Sequence, residues 1–210
     1  MLALAIMGLS AILPLQYAGH GDWVAPDDFP KMAIHNNEQG YSSFTLLVDP
    51  QGNVANCVIT KSSGFSDLDD RTCMLVTKRA HFKPAKNENG QPSYGVYHST
   101  VSWIAGSDTQ VIQKWVRANP APSLFDLSIP APDITRRTRD VVNETVGVMV
   151  DENGQKKGCG VIPSRTTDNL GEAACQAAVA GWKPLPASNP NGRQVESIQT
   201  VVVRFVPTAH

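Results

Sequence analysis

Two stretches decide how this chain is read: CVITKSSGFSDLDDRTC at residues 57–73 and CGVIPSRTTDNLGEAAC at residues 159–175. Each opens and closes on a cysteine, sixteen positions apart, and the second stretch lies 102 residues after the first. The same shift, with no gap, superposes Val48-Asp49 and Gly52 on Val150-Asp151 and Gly154. It also superposes Ser62 on Ser164, Leu68 on Leu170, Pro84-Ala85 on Pro186-Ala187, Gly90 on Gly192 and Val101 on Val203. Self-similarity at a fixed period indicates one small module used twice.

Working outward from Cys57, Phe44 to Val48 reads as a short apolar strand. Asp49-Pro50-Gln51-Gly52 is a turn, with proline at its second position and glycine at its end. Val54 to Thr60 returns as the second strand of a hairpin. Ser66 is expected to cap a helix, with Asp69 in capping-box position. Leu68, Thr72, Leu75 and Val76 recur at helical spacing, and Lys78 and Arg79 suit the negative end of the helix dipole. Val96 to Ile104 is a third strand. The second unit repeats the order: strands Val146 to Val150 and Cys159 to Ile162, then a helix from Leu170 to Ala180. Thr167 or Asp168 caps that helix, Gly181 ends it, and Ile198 to Val206 is the last strand. Between the units Thr109 to Ala118 is a helical candidate, followed by two proline-rich clusters of semi-stiff linker composition.

The fold class is therefore α+β, with two repeated units, each a β-hairpin, a helix and a third strand forming an antiparallel sheet with the helix on one face. The divisions are an apolar segment at 1–18, a first unit at 28–105, a linker at 106–139 and a second unit at 140–207. Units this small bury a modest core and often need a staple. In both, one cysteine lies on the second strand and the other in the helix. A helix packed on a hairpin brings such positions within disulfide range. Four cysteines allow three pairings, and the repeat selects Cys57–Cys73 and Cys159–Cys175.

Formal net charge is −1, from 18 basic and 19 acidic residues, which gives no footprint for nucleic acid. Met1 to Ala18 carries no charge, and Met1 to Leu15 is almost wholly apolar. That length suits the core of a secretory signal, and an upstream extension of the reading frame would make it a membrane anchor instead. Together with paired cysteines it points to export.

The first unit resembles the TonB carboxy-terminal domain, the periplasmic end of the energy transducers of Gram-negative bacteria. The resemblance is carried by Asp28-Phe29-Pro30-Lys31-Met32-Ala33, Phe44 to Asp49, Gly52-Asn53-Val54, Lys61-Ser62-Ser63-Gly64, Leu68-Asp69, Phe82-Lys83-Pro84-Ala85 and Gly90-Gln91-Pro92, and it ends near Trp103. The second unit lacks the aromatic-proline opening, and Ser164-Arg165-Thr166 replaces the Ser-Ser-Gly, so it reads as a diverged copy. The resemblance implies a non-enzymatic domain that pairs by strand addition with a short peptide of an outer-membrane receptor. An edge strand, with its unpaired backbone groups, suits that task. The candidate partner-binding residues are Tyr97, Ser99, Val101 and Trp103 on one last strand and Val201, Val203 and Phe205 on the other. Alternation also allows their side chains to face the helices. Only Gly19 to Pro26 separates the apolar segment from the first unit, a reach under about 30 Å. That span points to a periplasmic module borrowing the fold rather than a lone coupler of two membranes. The alternative is an envelope-assembly protein of two packed units whose last strands are covered.

No catalytic residues, cofactor or metal are expected. The histidines His20, His35, His81, His98 and His210 form no metal-ligand spacing, and neither a nucleophile elbow nor a phosphate-binding loop occurs. Asp67, Asp69 and Asp70 suit a helix amino-terminus. Lys78, Arg79, Lys83 and Lys86 read as a solvated face, and Arg136, Arg137 and Arg139 as a linker end.

Overall fold

In the computed structural model, residues 12–18, 23–106, 108–123, 125–130, 141–161 and 170–206 are described. Residues 1–11 of the apolar segment, His20, His210, the arginines 136, 137 and 139, the caps at 167 and 168, and residues 164–166 lie outside them.

Strand β1 (Gln16–Tyr17) precedes a 3-10 turn (Pro26–Asp28) and a short helix α1 (Lys31–His35). The first hairpin is β2 (Gly40–Val48) and β3 (Val54–Lys61). Helix α2 (Ser66–Arg79), two short strands β4 (Phe82–Lys83) and β5 (Ala85–Lys86), and the long β6 (Pro92–Trp103) complete the first unit. The connection holds α3 (Thr109–Ala118) and β7 (Leu127–Pro130). The second unit comprises β8 (Val142–Val150), β9 (Lys156–Val161), α4 (Leu170–Gly181) and β10 (Ser197–Val206). Both units thus run hairpin, helix, strand, as expected of an α+β chain.

Two expectations need correcting. Ser66 is not the helix cap: Phe65 is at the N-cap and makes no side-chain capping bond. Asp69 cannot serve a capping box because its carboxylate is held by three donors elsewhere, described below. The segment between the units is also more than a spacer. Its β7 pairs in parallel with β10, Leu127 beside Val203 and Ile129 beside Phe205, and Trp115 of α3 packs on Tyr41 with centroids 5.4 Å apart.

The two hairpins do not form separate sheets. One sheet runs in the order β3-β2-β6-β10-β8-β9, antiparallel except where β6 meets β10 in parallel. Residues abreast in adjacent strands share a face. Gln199 stands abreast of Val96, an offset one residue longer than the 102-residue shift between the cysteine stretches. That single residue inverts the second unit relative to the first, because a slip of one exchanges faces. Tyr97, Val101 and Trp103 consequently turn toward α2, while Val201, Val203 and Phe205 turn to the opposite face, where α4 lies.

Two disulfides staple the helices to their hairpins. Cys57–Cys73 and Cys159–Cys175 both have a Cα separation of 5.7 Å. Closing loops of this length stabilises each unit by about 3 kcal/mol in the chain-entropy treatment.

The face of the second unit opposite α4 is covered by the amino-terminal segment. Ile12 and Leu15 are buried in one cluster with Phe44, Phe82, Met149 and Ile198. β1 pairs antiparallel with β4, Gln16 opposite Lys83 and Tyr17 opposite Phe82. The carboxy-terminal part of the stretch read as a leader or an anchor therefore lies on the sheet of the folded domain. Among the described residues no helix is long and apolar enough to cross a membrane.

Candidate protein-interaction edge

The Ser-Ser-Gly and Leu-Asp motifs of the first unit meet in one buried knot. Asp69 is fixed on the first turn of α2 by Leu68, which is fully buried beside Leu75 and Trp103. Its carboxylate accepts from Ser42 Oγ at 2.7 Å, from Ser62 Oγ at 2.5 Å and from the Ser63 amide at 2.9 Å. Burial pushes this carboxyl up, but the bonds from Ser62, Ser63 and Ser42 outweigh it and hold the group below its ordinary value. Gly64, at φ +98°, lets the chain turn from β3 into the helix through a backbone conformation that side chains disfavour. The knot ties β2, the β3–α2 loop and α2 together and so sets the position of the sheet.

A second tie holds the lead-in. Arg79 at the end of α2 grips the Asp28 carboxylate with both terminal nitrogens, and Arg71 Nε donates to the Asp28 carbonyl at 3.0 Å. The Arg79 bonds chiefly hold the Asp28 carboxyl down to about 2. The basic group at the helix end is thus partly a structural clamp and not wholly a solvated face.

On this frame the proposed binding residues divide. Trp103 is core: it is 1% exposed, its Nε1 donates to Thr72 Oγ1 at 2.8 Å, and Phe29 meets its ring edge-on. Tyr97 joins Trp23 and Phe82, and its burial raises its hydroxyl pKa. Val101 packs against the same clusters, and Val201, Val203 and Phe205 are buried under α4. These side chains point inward, so only backbone is available to a partner at these positions.

The two last strands differ in that respect. β10 is flanked along one side by β8 from Ser197 to Phe205, and on the other by β6 at 197–199 and by β7 at 203–206. β6 is flanked by β2 from Gly95 to Trp103 and pairs with β5 at Pro92 and Ser93, while on the side away from β2 it meets β10 only from Tyr94 to Val96. Beyond Val96 the two last strands separate. Among the described residues no strand pairs with Tyr97–Trp103 on that side.

A cleft of about 380 Å³ opens at the fork, lined by His98, Ser99 and Thr100 of β6, Gln199 and Thr200 of β10, and Asp126. Asp126 spans it. Its Oδ2 accepts from the Val202 amide at 2.7 Å and lies 3.3 Å from His98 Nε2. Among the described residues the buried Thr200 hydroxyl and Trp23 Nε1 have no hydrogen-bond partner. Sequence reasoning had singled out β6 but missed Asp126, Thr200 and the fork, because none of them has a local signature.

Comparison with known proteins bears on the first unit. Residues 25–104 match the family profile described as Gram-negative bacterial TonB protein C-terminal. Protein TonB of Neisseria meningitidis serogroup B is 38% identical over 55 residues, covering 26% of this chain and 19% of that protein. Protein TonB of Neisseria gonorrhoeae is 36% identical over the same length, with the same coverage. The match thus spans about a fifth of the length of these curated relatives, at 19%. No solved structure matches the chain. The Ser-Ser-Gly, Leu-Asp and Phe-x-Pro-Ala elements and the hairpin–helix–strand order agree with that profile, and residues 25–104 are similar to the TonB carboxy-terminal domain family.

Proposed function

We propose that this chain is an exported protein-interaction module of the periplasm, linked to receptor-mediated transport across the outer membrane, and that it binds an extended receptor peptide by strand addition along Tyr97–Trp103 of β6. The observation that carries the reading is that, among the described residues, no strand pairs with β6 beyond Val96 on the side away from β2, in a unit similar to the TonB carboxy-terminal family. An added strand gains main-chain hydrogen bonds, which need no side chain from β6. That agrees with the inward packing of Tyr97, Val101 and Trp103. The working divisions are units at 28–105 and 140–207 joined by 106–139, with the second unit a diverged copy.

The test is titration of isotope-labelled protein with peptides from the periplasmic ends of outer-membrane receptors. Amide shifts concentrated on Tyr97–Trp103 are expected. Folded protein that shows no shifts at about 1 mM peptide, the weak limit of specific recognition, overturns the reading.

A second reading is favoured by β10, which has strands along both sides. In this reading the chain is an envelope-assembly protein whose two units pack on each other and bind no receptor. It predicts no response to any receptor peptide, and unfolding of both units in one transition.

A further inference from the structure

We propose that the sheet face opposite α4, together with the Phe82–Lys86 edge, is a binding groove for an extended, uncharged, apolar peptide, and that Ile12–Ala18 is its built-in occupant. This groove is separate from the open side of β6 and does not depend on the function assigned there.

The groove has the two features of peptide capture, an edge that supplies backbone bonds and a floor shaped to one ligand. Leu13 and Lys86 exchange both backbone bonds, each at 2.9 Å. Gln16 and Tyr17 pair with Lys83 and Phe82, and the Ala18 amide donates to the His81 carbonyl at 3.0 Å. The occupant is therefore added as a strand to a short edge of the first unit, while its side chains reach across the second.

The floor is glycine where the occupant crosses it. A Cβ on Gly95 would stand 2.3 Å from Leu15 Cγ, and one on Gly147 would stand 3.0 Å from Pro14. A Cβ on Gly158 would meet Ile12 Cδ1 at 2.7 Å, and one on Gly160 would meet the Ile12 carbonyl oxygen at 1.8 Å. The last contact is with backbone, which cannot rotate away. Glycine inside a strand weakens it and commonly marks close approach by another backbone. Three strands carry such glycines on one face, under one segment.

The ligand class follows from the lining. Ile12 and Leu15 are 6% and 4% exposed among Met149, Ile198 and Phe82. Both side chains lie in an apolar cluster, so a charged residue at either position would have to be buried against apolar side chains. At the far end Tyr17 meets Trp23 edge-on with centroids 5.0 Å apart, which adds an aromatic subsite. Pro14 needs no amide bond where it lies over Gly147.

The test uses the full chain with a protease recognition sequence placed at residues 19–22. After cutting, the released segment is expected to co-elute with the protein and to exchange with a dye-labelled peptide of residues 12–18. Leu15→Asp in the peptide, or Gly160→Ala in the protein, should weaken that binding at least about tenfold, a change of ~1.4 kcal/mol. Failure of the labelled peptide to bind at about 1 mM, with circular dichroism and both disulfides unchanged, overturns the proposal. If cutting unfolds the protein, hydrogen exchange on the uncut chain decides. Slow exchange of the Leu13 and Lys86 amides supports the groove, and exchange at the rate of an unstructured peptide overturns it.

Discussion

Replacing Asp69 should damage the first unit more than any exposed carboxylate would, and the structure sets the size of the effect. Asp69→Ala leaves three donors without their acceptor. The Ser62 hydroxyl and the Ser63 amide lie close enough to solvent to recover much of their loss from water. The Ser42 hydroxyl does not, because Ser42 is 0% exposed. Hydrogen bonds to a charged group contribute about 1.5–3 kcal/mol each, and an orphaned buried donor costs about 1–3 kcal/mol. With partial recovery at two of the three sites, Asp69→Ala should cost about 3 kcal/mol. Asp69→Asn should cost somewhat less, since the amide oxygen can accept two bonds while its NH2 group opposes the third donor. The assay is urea unfolding, followed by the fluorescence of the buried Trp103 region with disulfides intact. A double-mutant cycle with Ser42→Ala should return a coupling of about 1 kcal/mol or more. The same carboxylate also shapes the acid limb. Its folded pKa is depressed, so its contribution is fully present above the unfolded value of about 3.9 and is lost as pH falls through the folded value. Asp69→Asn should flatten stability in that window and leave it unchanged in shape above about pH 5. A cost for Asp69→Ala below about 1 kcal/mol, or strict additivity with Ser42→Ala, would refute the reasoning.

The Asp28–Arg79 clamp predicts a further acid-side effect. Asp28 is held to about 2, so its contribution disappears only as pH drops from the ordinary carboxylate range toward that value. Arg79→Met should move the acid-unfolding midpoint, read by near-ultraviolet circular dichroism, to higher pH. An unmoved midpoint would show that the clamp does not contribute. The disulfides predict that thiol titration of the unreduced, denatured protein finds none of the four cysteines free, whereas four free thiols would sink the pairing. Cys159→Ser with Cys175→Ser should lower stability by about 3 kcal/mol while leaving Cys57–Cys73 closed.

Much of the local architecture was legible. Hairpins, helices and last strands fall where turn residues, apolar alternation and helical spacing placed them. Those signals act within a few residues and survive packing. Asp69 was misread because a carboxylate in the first turn of a helix has an obvious local explanation. Its real partners include Ser42, 27 positions away, which local pattern cannot reveal. The place of residues 12–17 on the sheet was not legible, for the opposite reason. A charge-free apolar run is the usual mark of a leader, and its length says nothing about a groove that fits it. The alternating Gly158 and Gly160, with Gly147 opposite, were the signal that could have pointed to a close backbone neighbour.

The candidate site was half legible. The family motifs directed attention to β6 and β10, but the choice between their edges depends on which neighbours arrive. Among the described residues a linker strand reaches β10, and none pairs with Tyr97–Trp103 on the side away from β2. The element order of each unit, the turns and the cysteine pairing could all be read from the residues alone, since each depends on neighbours close along the chain or on matched spacing. Tertiary packing set that the units share one sheet, that α2 and α4 lie on opposite faces, and that among the described residues no strand joins Tyr97–Trp103 opposite β2. Those outcomes turn on a parallel register offset by one residue between strands about a hundred positions apart. The strand period is two, so that one residue exchanges core for surface, and no local sequence pattern records it.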